Sequence, residues 1–247
     1  MIFHDDFETG DQSAWDDESA ESEVTTDPAL VFNGRWSLRA HWKADVSRAG
    51  GPIKWFMPGY QEIYVRWYLM FEPGFDVRHG MHHMRVKGNH VNDKWTGFAG
   101  AGEKPTGFDR FSVGVDPYTI WNQYSNPGFL VFYSYFADMK IDPDGSYWGN
   151  VTYPEDRTTL KHGKWYCVEI RVKVNDVGEK NGIQELWLDG VKKISDTDMM
   201  LRESDELLCN AIFCCFYQTF APTKPQQMVV DEVVVSHEYI GPLEGAK

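Results

Sequence analysis

Cationic and imidazole side chains are concentrated in residues 78–94, which read RHGMHHMRVKGNHVNDK and hold four of the eight histidines beside a single acid. Alternate side chains of a strand point to the same face. His83, Arg85 and Lys87 therefore share a face in an extended segment. Such a row could bind and polarise an acidic ligand, the reading that we favour. A solvated strand and a metal site are the alternatives, although adjacent His82 and His83 would point apart.

Two further segments could add proton-transfer groups to this row. The stretch VFYSYF places Tyr133 and Tyr135 on one strand face, and RFSVGV places Arg110, Ser112 and Gly114 on another. A phenol ordinarily has a pKa near 10. Cationic neighbours stabilise the phenolate and lower that value, so a tyrosine beside a cationic strand can act as a base or an acid.

The composition limits the classes of function. The chain has 247 residues and a formal charge of −13, which argues against broad nucleic-acid binding. Ten of the acids lie within residues 1–28, so the remainder is nearly neutral, at −3. No apolar run is long enough to span a bilayer, so we expect no membrane association. Aromatic residues make up 15% of the chain, which suits a β-sandwich core and the stacking of sugar rings.

The elements that must position these side chains are strands. Period-2 patterns with intervening turn residues predict a single antiparallel β-sandwich over residues 1–247. One short helix is expected over 198–206. The predicted strands are Ser37–Trp42, Glu62–Phe71, His82–Lys87, Arg110–Val115, Leu130–Phe136, Trp165–Val174, Gln184–Leu188, Ala211–Tyr217 and Met228–Ser236.

Several short motifs together resemble polysaccharide lyases of family 14, which are alginate and glucuronate-polymer lyases. They are SLRA after a glycine-containing turn, YVRWYLMF, the GAGEKPTG loop followed by a Phe-Ser strand, FYSYF, and the closing VVDEVVVS. The resemblance extends over residues 36–236. It implies a concanavalin-like, lectin-like β-jelly roll with a concave groove, and an acidic polysaccharide as the partner.

The resemblance also implies site residues. In that family a lysine strand, a Ser-x-Arg strand and a Tyr-x-Tyr strand line the cleft. Ser112 matches the serine, and either Arg85 or Lys87 matches the lysine. The chain departs from the pattern where the arginine is expected, because that position is Gly114. Arg110 or Arg66 are candidates to replace the missing charge.

The implied reaction is β-elimination on a uronic acid. A cation must neutralise the C5 carboxylate, a base must remove the C5 proton, and an acid must protonate the departing oxygen. We assign Tyr133 or Tyr135 as base and acid, and His83 as a second base or hydrogen-bond donor. Lys87 is a further catalytic candidate, as a cation. The candidates for substrate binding are Arg85, Arg66, Ser112, Arg110 and Arg171.

Two other functions remain open at this stage. A non-catalytic carbohydrate-binding module would use exposed aromatic and arginine side chains without the tyrosine pair. A jelly-roll glycoside hydrolase would need two carboxylates at a suitable separation, and no strand-borne signature of that kind is present. New 4,5-unsaturated ends would indicate a lyase, and new reducing ends alone a hydrolase.

The remaining expectations concern ions, cysteines and location. No cofactor is required, although Glu8 and Asp231, on terminal segments, are candidate oxygen ligands for a structural calcium ion. The four cysteines show no metal spacing and are expected to be buried free thiols, with a Cys209–Cys214 bridge as the alternative. We expect a monomer that is secreted or periplasmic.

Overall fold

The computed structural model describes residues 1–78, 80–98 and 100–245, and the regular secondary structure in them is almost entirely strand. His79, one of the four histidines in the cationic segment, lies outside the described residues. One turn of 3-10 helix spans Thr96–Phe98. In chain order the strands are β1 (Phe3–Asp5), β2 (Ser22–Thr25), β3 (Ser37–Trp42), β4 (Ile53–Tyr60), β5 (Glu62–Phe71), β6 (Met81–Asn89), β7 (Arg110–Tyr118), β8 (Phe129–Tyr135), β9 (Asn150–Thr152), β10 (Tyr166–Lys173), β11 (Gly182–Leu188), β12 (Val191–Met199), β13 (Cys209–Gln218) and β14 (Gln226–Ser236).

The strands form two antiparallel sheets. The first sheet has the order β12-β11-β10-β5-β14-β3-β2, and β1 also pairs with β14. The second sheet has the order β4-β13-β6-β7-β8-β9. The predicted all-β jelly-roll sandwich is therefore confirmed, and each of the nine predicted strands is present.

The predicted helix over 198–206 is wrong. Strand β12 continues to Met199, and an irregular segment follows it. The backbone N–H groups of Leu201 and Arg202 both donate to Asn175 Oδ1, at 2.8 and 2.9 Å. Since these donors are satisfied by the side chain of Asn175, which follows β10, they are not available for helical hydrogen bonds.

A hydrophobic core lies between the two sheets. Inward residues of the first sheet, such as Trp67 and Val230, join inward residues of the second, such as Val86 and Phe132, in one buried cluster. The indole Nε1 of Trp67 donates to Nε2 of His83 across the sandwich, at 2.8 Å. This contact ties the centre of β5 to β6, the strand that carries the cationic residues.

All four cysteines are free thiols, as expected, so the alternative Cys209–Cys214 bridge is absent. Cys214 packs in the core, whereas Cys215 points to the outer face of the second sheet. The described residues include no helix long and apolar enough to cross a membrane.

Candidate active site

A cleft of about 320 Å³ lies on the outer face of the second sheet. Strands β6, β7, β8 and β13 form its floor, and the segment after β6 forms one wall. The residues that line it are His82, Arg85, Lys87, Gly97, Phe98, Gly100, Ala101, Arg110, Phe111, Ser112, Tyr133, Tyr135, Phe213 and Cys215.

The register of the sheet arranges the predicted groups in two rows. Lys87 pairs with Ser112 across β6 and β7, and Ser112 pairs with Tyr135 across β7 and β8. Directly paired residues of adjacent strands place their side chains on the same face. The structure therefore brings Lys87, Ser112 and Tyr135 together in the cleft.

The second row runs parallel to the first, two residues along each strand. Arg85 pairs with Gly114, and Gly114 pairs with Tyr133. A Cβ on Gly114 would lie 2.0 Å from Nη1 of Arg85, so the guanidinium lies over this glycine. The place where the family pattern expects an arginine is filled by an arginine from the neighbouring strand.

Arg85 is committed to contacts within the protein. Its Nη2 donates to both carboxylate oxygens of Asp116, at 2.8 and 3.1 Å, and its Nη1 donates to the Tyr133 carbonyl at 3.1 Å. Burial raises the pKa of Asp116, but the charge of Arg85 and the hydrogen bonds from His82 and the His83 N–H outweigh burial and hold that pKa below its usual value. The positive charge of Arg85 is therefore neutralised by Asp116 within the protein.

Lys87 has no such partner. Its ammonium donates to the Gly97 carbonyl and lies 4.4 Å from the centre of the Phe98 ring. No ion pair joins it to a carboxylate in residues 1–78, 80–98 and 100–245. Burial, followed by repulsion from Arg85, lowers its pKa to about 7. Lys87 is thus the cation of this cleft that is left for an acidic ligand.

The two predicted tyrosines are close enough to exchange a proton. The hydroxyl oxygens of Tyr133 and Tyr135 lie 3.4 Å apart. Burial, and then the hydrogen bond to Tyr135, raise the pKa of Tyr133 above its usual value. A Cβ on Gly149 would lie 2.3 Å from the Tyr133 ring, so the chain needs glycine there for the ring to hold its place.

Ser112 and Arg110 complete the β7 side of the cleft. The Ser112 hydroxyl is buried and has no hydrogen-bond partner among the described residues, which leaves it available to a ligand. Arg110 instead donates to the Gly100 and Glu103 carbonyls and pairs with Asp109. We therefore assign Arg110 to holding the loop that closes this side.

The expected placement of His83 in the cleft is wrong, and His82 lines the cleft instead. His83 is fully buried between the sheets with Trp67 and Phe216. Strand β13 has an irregularity in register between Cys214 and Tyr217, and both His83 and the following Met84 point into the core. The strict alternation that placed His83 beside Arg85 fails at this point.

His82 and Asp116 are the site residues that the sequence reading missed. Nδ1 of His82 lies 2.8 Å from Oδ2 of Asp116 and 2.6 Å from Nη2 of Arg85. Burial, and next the charge of Arg85, lower the pKa of His82, so its imidazole is neutral at pH 7. The alternation that places Ser112 and Gly114 on the cleft face of β7 continues to Asp116. The sequence pattern could therefore have identified this acid as a residue of the site.

Arg66 and Arg171 do not reach the cleft, which corrects their assignment to substrate binding. They lie on β5 and β10 of the first sheet, not on the sheet that carries the cleft. Arg171 donates to Glu62 and Glu185 at 2.6 and 3.0 Å. The alternating pattern identified polar strand faces correctly but could not tell which sheet they belonged to.

The candidate calcium ligands are occupied by the backbone. Glu8 Oε1 accepts from the N–H groups of Arg35 and Trp36, at 2.7 and 2.8 Å. Asp231 Oδ2 accepts from the N–H groups of residues 32 and 33. Within the described ranges, no group of three or more His, Cys, Asp or Glu side chains is arranged to hold a metal ion.

The polysaccharide lyase 14 family model matches residues 136–228. The resemblance to polysaccharide lyase family 14 is thereby confirmed. The matched segment runs from the end of β8 into β14. It includes Phe213 and Cys215 of the cleft, but not the strands that carry Lys87, Ser112 and the two tyrosines. A comparison with curated proteins finds no match.

Solved structures of polysaccharide lyases share the fold. The PL-14 alginate lyase from Aplysia kurodai is 13% identical with a TM-score of 0.68, over 88% of this chain and 87% of that one. Alginate lyase vAL-1 from Chlorella virus is 17% identical with a TM-score of 0.69, over 91% and 93%. The endo-beta-1,4-glucuronan lyase from the fungus Trichoderma reesei is 14% identical with a TM-score of 0.56, over 96% and 95%.

Proposed function

We propose that this protein cleaves a uronic-acid-containing polysaccharide by β-elimination. The observation that carries the proposal is the row of Lys87, Ser112 and Tyr135. In this row a lysine with no carboxylate partner in the described part of the chain adjoins a hydroxyl with no hydrogen-bond partner there and a phenol. The family match and the alginate and glucuronan lyases that share the fold support a uronate polymer as the substrate.

Lys87 and Ser112 bind the C5 carboxylate in this scheme. The ammonium neutralises its charge, which makes the C5 proton more acidic, and the hydroxyl donates a hydrogen bond to it. A bound carboxylate in turn stabilises the charged form of Lys87 and raises its pKa from the value near 7 in the free protein. The ligand itself therefore maintains the charge that holds it.

The tyrosine pair moves the protons. Tyr135, in the row of Lys87, takes the C5 proton while its own hydroxyl proton passes to Tyr133, 3.4 Å away. The electron pair of the C–H bond forms the C4–C5 double bond as the C4–O bond breaks. Tyr133, whose raised pKa keeps its proton in place at neutral pH, donates that proton to the departing oxygen. Arg85, His82 and Asp116 position Tyr133 through the contacts of its backbone and ring.

A hydrolase is not supported by this geometry. Hydrolysis of a glycoside needs two carboxyl groups that flank the bond. The described residues that line the cleft include no Asp or Glu, and nearby Asp116 is buried against Arg85.

The experiment is incubation with alginate, glucuronan and neutral glucans. Ultraviolet absorbance measures 4,5-unsaturated ends, and a reducing-sugar assay measures all new ends. We expect the two to rise in step on a uronate polymer, and Tyr135→Phe to abolish both. The matched control is Tyr239→Phe, at an exposed residue beyond the last strand of the first sheet, which keeps wild-type turnover. Reducing ends without unsaturated ends, or an active Tyr135→Phe variant, contradict the proposal.

A further inference from the structure

A second hollow adjoins the cleft on the side of β13. It has a volume of about 230 Å³ and is lined by Arg48, Gly50, Phe213, Cys215, Phe216 and Tyr217. Phe213 and Cys215 also line the cleft, so the two spaces adjoin each other. A polymer chain that lies over Lys87 can therefore extend into this hollow.

The backbone fixes the position of Arg48. The segment before β4 runs beside β13: the N–H of Ala49 donates to the Phe216 carbonyl at 2.9 Å, and the N–H of Gln218 donates to the Ser47 carbonyl at 2.8 Å. Arg48 thereby faces Tyr217 in an antiparallel bridge. Residues paired in this way place their side chains on the same face.

That face is the face of the cleft. The Tyr217 ring stacks on the His82 ring, with centroids 5.6 Å apart and planes at 16°, and His82 lines the cleft. The neighbours Ala49 and Phe216 point inward and are buried in the core. Arg48 and Tyr217 thus offer a guanidinium and an aromatic ring beside His82, at the β13 side of the cleft.

The charge of the hollow suits an anion. Among the described residues that line it, none is acidic, and Arg48 is exposed. A guanidinium is the side chain that binds carboxylate in a bidentate fashion, and a tyrosine ring supplies a flat face for a sugar ring. Beyond Arg48 the next hollow contains His41 and Lys43 but also Glu21 and Glu23, so the favourable charge ends there.

We propose that Arg48 and Tyr217 form a subsite that binds the carboxylate and ring of another uronate unit of the same polymer, beyond the unit held by Lys87. This inference rests on the proposed function and deepens it, since it names residues that select a substrate with carboxylates on more than one unit. The subsite binds ligand without taking part in bond cleavage, so it acts on KM and not on kcat.

The test compares Arg48→Gln with Arg35→Gln, which removes the same charge from an exposed loop beside the first sheet. Kinetics are measured on a length series of alginate and glucuronan oligosaccharides. We expect Arg48→Gln to raise KM about 5- to 10-fold on long oligosaccharides with kcat unchanged. The effect should vanish on oligomers too short to reach the hollow, and Arg35→Gln should match the wild type.

Equilibrium binding separates failure of this inference from failure of the proposed function. Calorimetry with the same oligosaccharides is carried out on Tyr135→Phe protein, with and without Arg48→Gln. Weaker binding of long oligomers by the double variant supports the subsite even if no polymer is cleaved. Equal affinities, or an unchanged KM in an active Arg48→Gln enzyme, overturn the subsite and leave the proposed lyase function intact.

Discussion

The guanidinium of Arg85 lies over Gly114, and an added Cβ would stand 2.0 Å from its Nη1. The two residues are directly paired on β6 and β7. A side chain at 114 and the present position of Arg85 therefore exclude each other. This relationship explains how the site departs from the family pattern at residue 114 and still holds an arginine there.

Gly114→Ala is expected to destabilise the protein by about 1–3 kcal/mol, because Arg85 must leave Asp116 to make room. Urea unfolding gives the free energy. In an Arg85→Ala background the same glycine change should cost much less, since the colliding group is gone. Additive costs in this double-mutant cycle would show that Arg85 is not what makes glycine necessary.

The pH dependence of kcat/KM should report Lys87. Its pKa of about 7 in the free protein means that the ammonium form is lost as the pH rises through 7. If the charged form binds the carboxylate, kcat/KM falls over that range, and Lys87→Arg moves the fall to higher pH because arginine keeps its charge. A kcat/KM that instead rises through pH 7 would indicate that neutral Lys87 is the base and that Tyr135 does not remove the C5 proton.

Lys87 should also reduce the stability of the fold. A lysine whose pKa is lowered to about 7 binds its proton less tightly in the folded chain than in the unfolded chain. Stability therefore rises with pH between about 7 and the ordinary lysine pKa near 10.4. At pH 6, Lys87→Met should be more stable than the wild type by about 2–4 kcal/mol, and inactive. Thermal unfolding across pH should show this gap narrowing above pH 7.

Neighbouring His82 and His83 should give opposite results when each is changed to leucine. His82→Leu removes a cleft residue that packs on Tyr133, so kcat should fall at least 10-fold with stability little changed. His83→Leu leaves the Trp67 Nε1–H buried without an acceptor, which should cost about 1–3 kcal/mol of stability with kcat retained. The reverse pattern would return His83 to the role predicted from the sequence.

The sequence predicted the parts of the site that depend on regular strands. Tyr133 and Tyr135 share a face because β8 keeps strict alternation, and Lys87 lies in the cleft for the same reason on β6. His83 was misplaced because the register shift on β13 lies opposite it, and a bulge leaves no mark in the sequence of the neighbouring strand. Arg66 was misplaced because alternating polarity identifies the polar face of a strand but does not show which of the two sheets the strand belongs to.

The subsite residue Arg48 was beyond the reach of sequence patterns for a different reason. Its segment pairs with β13 through long-range hydrogen bonds but has no strand alternation of its own. Gly51 allows this approach, since a Cβ there would stand 1.5 Å from the Cys214 carbonyl oxygen. Only the tertiary structure shows which strand the segment lies against.

The hydrogen bond from Trp67 to His83 allows NMR spectroscopy to follow the contact between the two sheets. The indole proton of Trp67 is fully buried and points at an imidazole of the opposite sheet. Its resonance in a nitrogen-15 NMR spectrum should exchange with deuterium only when the sheets separate. The exchange rate of this one indole signal, among those of ten tryptophans, therefore measures how often the sandwich opens directly beneath the site.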